Sequence, residues 1–314
     1  MRIGWRQFIK SKFQSRSTYS AVGISLAVDT VSFCALTSSA DNTALVLYHQ
    51  APIGRWPQVL DSWVSENNIG AADCGVSIAT QLHRSYQVEK PSVQPAEIHK
   101  ALTWSVQEMA GSDTPELVFD YYDPPVQTSG ADNLNVVALP KTELEDIINA
   151  VINAGLKLKS VTVEDLAICD LIDTDDAVMT MLQRAGEEIQ LTIVRQGKLY
   201  FSRSLKGFEN LGSFSIEELQ MGVMDSLTVQ IQRSMDYFES QLRQAPIRTI
   251  LMNIESVNSQ AIADQIESLM RVDVRPFSCK ISGTDINQES VDFSCLGAAY
   301  AAIEGIPVVA RPVK

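Results

Sequence analysis

The order of predicted strands and helices occurs twice along the chain, and this repeat limits the possible folds more than any single motif. Apolar periodicity indicates three strands, a helix and a strand in the first part, over 19–26, 31–36, 45–50, 57–67 and 76–80. The same order follows later, over 177–183, 189–195, 198–204, 215–244 and 247–252, with further helices over 256–270 and 291–303. Although the two halves are not similar in sequence, the shared order predicts two α/β lobes of one architecture.

A separate α+β pattern interrupts the first lobe between 82 and 161. A capping box of Thr142 and Glu145 predicts the start of its second helix, and Ser215 with Glu218 predicts the start of the long helix in the second lobe. The sequence therefore predicts five segments: a basic tail over 1–18, a first lobe over 19–81, an inserted subdomain over 82–161, a second lobe over 162–290, and a helix over 291–314 that returns to the first lobe.

Charge limits the partners of this chain. Its net charge is −13 and its pI is about 4.7, which argues against a nucleic-acid backbone or an anionic lipid surface as the main partner. No apolar run approaches the ~18–20 residues that span a bilayer. The basic tail carries Trp5, Phe8 and Phe13, and two interpretations stay open: a solvated tail, or a short amphipathic helix in peripheral contact with a membrane.

Residues typical of metal or catalytic sites do not form a recognisable pattern. His49, His83 and His99 lack metal-ligand spacing, and the acidic cluster at 170–176 lacks the glycine and the distal glutamate of a calcium loop. The 5 cysteines are widely spaced without a CxxC motif, as expected of the buried thiols of a cytoplasmic protein. The sequence thus predicts no metal site and no catalytic residue.

Several short segments follow one another in an order and spacing that occur in one family. They are VGISLA at 22–27, VTVEDLA at 161–167, GKLYFSR at 197–203, QRSMDYF at 232–238 and LGAA at 296–299. Together they resemble the PilM and MshI family of type IV pilus biogenesis proteins, and the MSHA-pilus branch is most similar. The resemblance covers nearly the whole chain. It implies an actin-like, ribonuclease-H-like fold of duplicated lobes with an inserted subdomain of the FtsA type.

The resemblance also identifies three turns at which nucleotide-binding members hold ATP and magnesium, through acidic side chains and bare glycine backbone. The corresponding residues are Gly23, Ser25 and Ala27 in the first turn, Gln183, Arg184 and Ala185 in the second, and Asn253 with Ile254 in the third. Both acids are missing. In the third turn, side chains of residues 252–255 are predicted to occupy the space that the base needs, and a backbone path that suits glycine would be costly for Ile254. We therefore expect a pseudo-ATPase without a cofactor. Nucleotide binding through backbone groups alone stays an alternative.

The resemblance further implies a non-enzymatic scaffold at the cytoplasmic face of a bacterial inner membrane. Its expected partners are the N-terminal tail of a PilN-like membrane protein and other proteins of the pilus platform. The tail is expected in a groove between 19–80 and 82–161, because a disordered tail can order against a preformed groove. Three alternatives remain: an ATP-dependent switch of the same machine, a GspL-like cytoplasmic domain of type II secretion that would continue into a transmembrane segment, and a nucleotide-free filament.

Overall fold

Fourteen strands and seven longer helices make up the part of the chain that a computed structural model describes, residues 17–40, 42–111, 114–128, 130, 132–283 and 291–305. The strands are β1 (Ala21–Leu26), β2 (Thr30–Ser38), β3 (Thr43–Pro52), β4 (Asp73–Ile78), β5 (Arg84–Glu89), β6 (Leu117–Tyr122), β7 (Asn133–Pro140), β8 (Lys157–Val163), β9 (Val178–Gln183), β10 (Ile189–Arg195), β11 (Lys198–Leu205), β12 (Thr249–Ile254), β13 (Asp273–Pro276) and β14 (Ile281–Gly283). The helices are α1 (Trp56–Glu66), α2 (Ile98–Ala110), α3 (Lys141–Asn153), α4 (Glu164–Leu171), α5 (Met224–Asp236), α6 (Ser259–Met270) and α7 (Phe293–Glu304). Trp5, Phe8 and Phe13 of the predicted tail lie outside the described residues.

The two large sheets have matching topology. The first-lobe sheet has the order β14-β3-β2-β1-β4-β8, and the second-lobe sheet has the order β11-β10-β9-β12-β13. In each lobe the first three strands form an antiparallel meander, and two later strands add in parallel beside the first strand. The predicted duplication of one α/β architecture is therefore confirmed.

The structure moves two of the predicted segment boundaries. β8 includes residues 157–161, which the sequence assigned to the insert, yet it pairs with β4 in the first-lobe sheet. β14 lies within the range assigned to the second lobe but pairs with β3, where Ile281 faces Thr43. Local periodicity predicts that a segment is a strand but does not show with which sheet it pairs. The pairing of β8 and β14 therefore depends on the whole fold.

The insert is a small subdomain with a core of its own. Its antiparallel sheet has the order β5-β7-β6, and α2 covers it. The packed side chains include Leu102 and Val106 from α2 and Leu134 and Val136 from β7. Among the described residues, no helix has both the length and the apolar character to cross a bilayer.

One predicted capping box is wrong and the other is confirmed. α3 begins at Lys141 after Pro140, and no side chain caps it, so Thr142 already lies inside the helix. At the second site, the Ser215 hydroxyl accepts the Glu218 N–H at 3.3 Å, and the Glu218 carboxylate accepts the Ser215 N–H at 2.8 Å. The predicted continuous helix from there is interrupted, because Gly222 has φ +96°, a conformation that glycine adopts readily.

A middle layer of two helices separates the lobes. α4 and α7 lie between the two sheets, and their apolar side chains share one core with residues from both lobes. α7 approaches the first-lobe sheet so closely that a Cβ at Gly23 would stand 2.0 Å from the Cys295 carbonyl oxygen. At Gly297 of α7, a Cβ would stand 2.1 Å from the Ala167 carbonyl oxygen of α4. These glycines therefore allow backbone to pack against backbone across the layer.

Candidate functional site

A narrow cleft between the lobes contains three of the residues that the sequence associated with nucleotide binding, namely Gln183, Arg184 and Asn253. We call it the interlobe cleft, and its lining includes Glu164, Gln183, Arg184, Glu187, Asn253, Asp292 and Ser294. The secondary structure brings these residues together, since Glu164 begins α4, Arg184 follows β9 and Asp292 caps α7. Only about 50 Å³ of this cleft is unfilled. That is room for a few water molecules, whereas small-molecule pockets usually measure about 300–1,000 Å³.

The guanidinium of Arg184 occupies the centre of the interlobe cleft. Its Nη2 lies 3.1 Å from Glu164 Oε2, its Nη1 lies 2.7 Å from Glu187 Oε2, and its Nε lies 3.2 Å from Asp292 Oδ2. The side chains of Glu164 and Asp292 are each only 5% exposed. One cation from the second lobe therefore joins the start of α4 to the cap of α7, through charge-assisted hydrogen bonds.

Burial and charge act in opposite directions on this cluster. Burial alone lowers the pKa of Arg184, but the Asp292, Glu164 and Glu187 carboxylates outweigh it and raise that pKa well above its ordinary value. Burial raises the pKa of Asp292, yet Arg184 and the Ser294 hydrogen bond hold it below its ordinary value. For Glu187 burial outweighs the Arg184 charge, so its pKa is raised. The cleft therefore holds an ionised guanidinium–Asp292 pair at neutral pH.

Of the three residues predicted for the first turn, the structure connects one to this cluster. Ser25 is buried within β1, and its hydroxyl lies 2.8 Å from the Ser294 hydroxyl, which donates to Asp292 Oδ1 at 2.7 Å. Gly23 lies beneath α7, and Ala27 is buried just after β1; neither lines the cleft. The first turn thus contributes a hydroxyl to an internal hydrogen-bond network.

Gln183 of the predicted second turn and Asn253 of the predicted third turn both line the interlobe cleft. The Gln183 amide nitrogen is held by the protein itself, since Nε2 donates to the carbonyl oxygens of Glu187 at 2.8 Å and Phe208 at 2.7 Å. Asn253 lies on β12 beside it and is partly buried. The structure therefore brings these two positions together at the cleft, and nothing in the sequence indicated the hydrogen bonds that Gln183 makes.

In the predicted third turn, the side chain that reaches across to the second turn is that of Glu255. Ile254 does not project toward the cleft but belongs to the second-lobe core, where it is 3% exposed. The next residue, Glu255, reaches back to the second turn, and its Oε2 accepts the Ala185 N–H at 3.3 Å. Among the residues predicted to crowd this turn, Ile254 therefore packs into the second-lobe core. A carboxylate bridges the two turns instead, and a carboxylate at this place disfavours bound phosphate.

A second concavity lies beside the insert, and we call it the insert groove. Its walls are β5 of the insert and β11 of the second lobe, and Thr80 and Asp165 lie at its floor. Its volume is about 350 Å³. β5 and β11 are edge strands of their sheets, so both walls present unpaired backbone groups. The groove predicted between 19–80 and 82–161 stays a prediction, because this groove has the second lobe as its opposite wall.

Comparison with known proteins supports the assignment of the fold. No family model matches the sequence, and no curated protein does either. A solved structure titled "PilM-PilN type IV pilus biogenesis complex" aligns with a TM-score of 0.63 and 17% identity, over 92% of this chain and 98% of that one. The cytoplasmic domain of EpsL, an inner membrane component of the type II secretion system of Vibrio cholerae, aligns with a TM-score of 0.50 and 11% identity, over 90% and 97%. This chain has an actin-like fold. At these identities the likeness extends to the fold alone.

In this actin-like fold, the position of Arg184 was predictable from the sequence, whereas the acids that bind it were not. Glu164 is 20 residues from Arg184 along the chain and Asp292 is 108 residues away. A local signal existed for Asp292, since an aspartate before an apolar helix predicts an N-cap, and its side chain does accept the Ser294 N–H at 3.0 Å. The described residues include no group of three or more His, Cys, Asp or Glu arranged to hold a metal ion.

Proposed function

We propose that this actin-like protein is a non-enzymatic cytoplasmic scaffold of a type IV pilus assembly platform, peripheral to a bacterial inner membrane. The MSHA-like branch is the form that the sequence favours. The observation that carries the non-enzymatic part is the Arg184 cluster, because the centre of the interlobe cleft already holds a cation paired with three carboxylates. The likeness in fold to the PilM-PilN complex supports the choice of machine. No catalytic residue and no cofactor belong to this proposal.

The electrostatics of the interlobe cleft support a pseudo-ATPase. The Arg184 guanidinium would repel a magnesium ion in this cleft. A triphosphate would be repelled by Glu164, Glu187 and Asp292, three acids that lie within 3.2 Å of that guanidinium. Binding Mg-ATP would therefore require breaking the buried ion pairs before any new contact formed. The proposed scaffold instead keeps its lobes joined through the protein's own charges.

We expect no change in thermal stability when Mg-ATP is added at millimolar concentration. A ligand at 100 times its Kd adds about 2.7 kcal/mol to the free energy of unfolding, which would raise the melting midpoint by several degrees. Differential scanning fluorimetry with Mg-ATP, ATP plus EDTA, and magnesium alone provides the measurement. A nucleotide-binding actin homologue run in parallel is the control. A magnesium-dependent rise of several degrees would return the ATP-dependent switch to first place.

For the partner, we propose the N-terminal tail of a PilN-like membrane protein, bound in the insert groove. An extended peptide can pair with an open strand edge, and here the edges of β5 and β11 both border the groove. Aromatic side chains such as Tyr86 and Phe201 line the same groove and offer apolar contact area to the tail. The alternative is a GspL-like role in type II secretion, which the fold likeness to EpsL supports. The identity of the tail that binds distinguishes the two.

Deleting the insert, residues 84–140, is expected to abolish pull-down of this tail. Because a deletion can disturb folding, Tyr86→Ala provides a second test, with an expected loss of about tenfold or more in affinity if Tyr86 anchors the peptide. Trp104→Ala is the matched control, since Trp104 is an aromatic residue of the insert that is 83% exposed and does not line the groove. Undiminished binding by the deletion variant would rule out the insert groove as the site.

A further inference from the structure

Asp165 stands at the floor of the insert groove without a cation. It follows Glu164 in α4, and the residue is only 8% exposed. Its Oδ1 accepts the Gln190 Nε2–H at 2.7 Å, and its Oδ2 accepts the Ser202 hydroxyl at 2.7 Å. Both donors are neutral. Among the described residues, Glu164 has an ion-pair partner in Arg184, whereas Asp165 has none.

The hydrogen-bonding capacity of the buried Asp165 carboxylate is only partly used. An ionised carboxylate offers about four acceptor positions, and the two hydrogen bonds use only two of them. Burial and the Glu164 charge raise the pKa of Asp165 to about 7, against the lowering effect of the Ser202 and Gln190 hydrogen bonds. A buried carboxylate is normally compensated by a positive charge. The groove is the open side from which such a charge can arrive.

The walls around Asp165 suit an organic cation. Tyr86 and Tyr122 from the insert face the groove together with Tyr200 and Phe201 of β11. The aromatic faces attract ammonium and guanidinium groups. Tyr122 is close enough to Asp165 to be affected by its charge, since burial first and Asp165 second raise the pKa of this phenol. A carboxylate in a groove that aromatic residues also line recognises a lysine or arginine side chain better than an apolar one.

We propose that Asp165 forms an ion pair with a lysine or arginine side chain of the extended peptide in the insert groove. This inference rests on the proposed function, in which that peptide is the cytoplasmic tail of a membrane protein. Segments next to the cytoplasmic ends of membrane spans are rich in lysine and arginine. The net charge of −13 on this chain adds general complementarity to such a tail. Asp165 then determines specificity by selecting a cationic segment.

The ion pair gives the complex a defined pH dependence. Asp165 must be ionised to hold the cation, so affinity increases as the pH rises through 7 and decreases below it, when the carboxyl binds a proton. The other titratable or charged groups around it lie on α4, on the insert and on the second lobe: Glu164, Cys169, Tyr86, Tyr122, Tyr200, Arg203 and Tyr237. An uncharged isostere at Asp165 separates its titration from that of these groups.

Fluorescence anisotropy on the full chain tests the proposal. The probe is a labelled 20-residue peptide from the N-terminal cytoplasmic segment of the PilN-like protein of the same organism, and its partner probe has norleucine in place of each lysine and arginine. For the first probe we expect about tenfold tighter binding at pH 8 than at pH 6, as for a group that ionises near pH 7. Asp165→Asn is expected to weaken binding at least tenfold at pH 8 and to remove the pH dependence. Asp61→Asn, at an exposed position of α1, is the matched control.

The outcomes separate this inference from the proposed function. Equal binding of the cationic probe by the wild-type chain and Asp165→Asn, without pH dependence, overturns the ion pair and leaves the scaffold function intact. Because Asp165→Asn can affect folding, the norleucine probe provides a test on the unaltered protein. If it binds the wild-type chain as tightly as the cationic probe at pH 8, the ion pair is again overturned. Absence of binding by either probe at any pH overturns the proposed partner, and the inference with it.

Discussion

Replacing Arg184 by methionine is expected to destabilise the folded chain by about 3–5 kcal/mol at neutral pH. The substitution leaves Glu164 and Asp292 without their cation, and each of these side chains is only 5% exposed. Methionine fills much of the same volume, so the loss reports charge more than packing. Arg184→Lys is expected to recover part of the stability, because one ammonium group cannot reach three acids in the planar geometry of a guanidinium.

Urea denaturation at pH 8 and pH 5 measures this effect and its sign. With Arg184 present, the pKa of Asp292 lies below its ordinary value, so the ion pair stabilises the fold above that value and fades as the pH falls through the folded pKa. Without Arg184, burial is left to raise the pKa of Asp292, and protonation of this carboxyl in acid relieves its unpaired charge. The deficit of Arg184→Met is therefore expected to shrink from pH 8 to pH 5.

The matched control for this experiment is Arg275→Met, which removes an ion pair at the surface. Arg275 pairs with Asp273, but its side chain is 65% exposed. Surface pairs usually contribute between about 0 and 1 kcal/mol. Equal losses for Arg184→Met and Arg275→Met would contradict the central role of Arg184 in joining the lobes.

Arg184 and the acids that pair with it show which parts of the site local sequence can predict. The strand-forming residues of β9, β10 and β11 and the turn between the last two predicted all three strands to within one residue at each end, because these signals are local in the sequence. The position of Arg184 followed from these strands. Its partners did not, because Asp292 is 108 residues away and only the assembled middle layer brings α7 to the end of β9. The same limit applies to β8 and β14, whose pairing partners lie in distant parts of the chain.

Gly23, which lies within β1, shows a second limit of prediction from sequence. The resemblance placed it in a phosphate-binding turn, where bare backbone approaches a ligand. In the structure the close neighbour is protein, because α7 lies against β1 at this point and Cys295 Sγ donates to the Gly23 carbonyl oxygen at 3.2 Å. A glycine in a sequence therefore indicates close approach without identifying what approaches.

Gly23→Ala is accordingly expected to destabilise the chain by about 1–3 kcal/mol or more, the usual range for overpacking a core. The new Cβ would stand 2.0 Å from the Cys295 carbonyl oxygen and 2.8 Å from Cys34 Sγ, so the backbone of α7 must shift. Gly70→Ala is the matched control, because a Cβ there has nothing within 4 Å and is expected to change stability little. Urea denaturation with and without Mg-ATP measures both variants. A loss at Gly23 that is independent of nucleotide supports packing as its role, whereas equal stability of the two variants would contradict the close approach of α7.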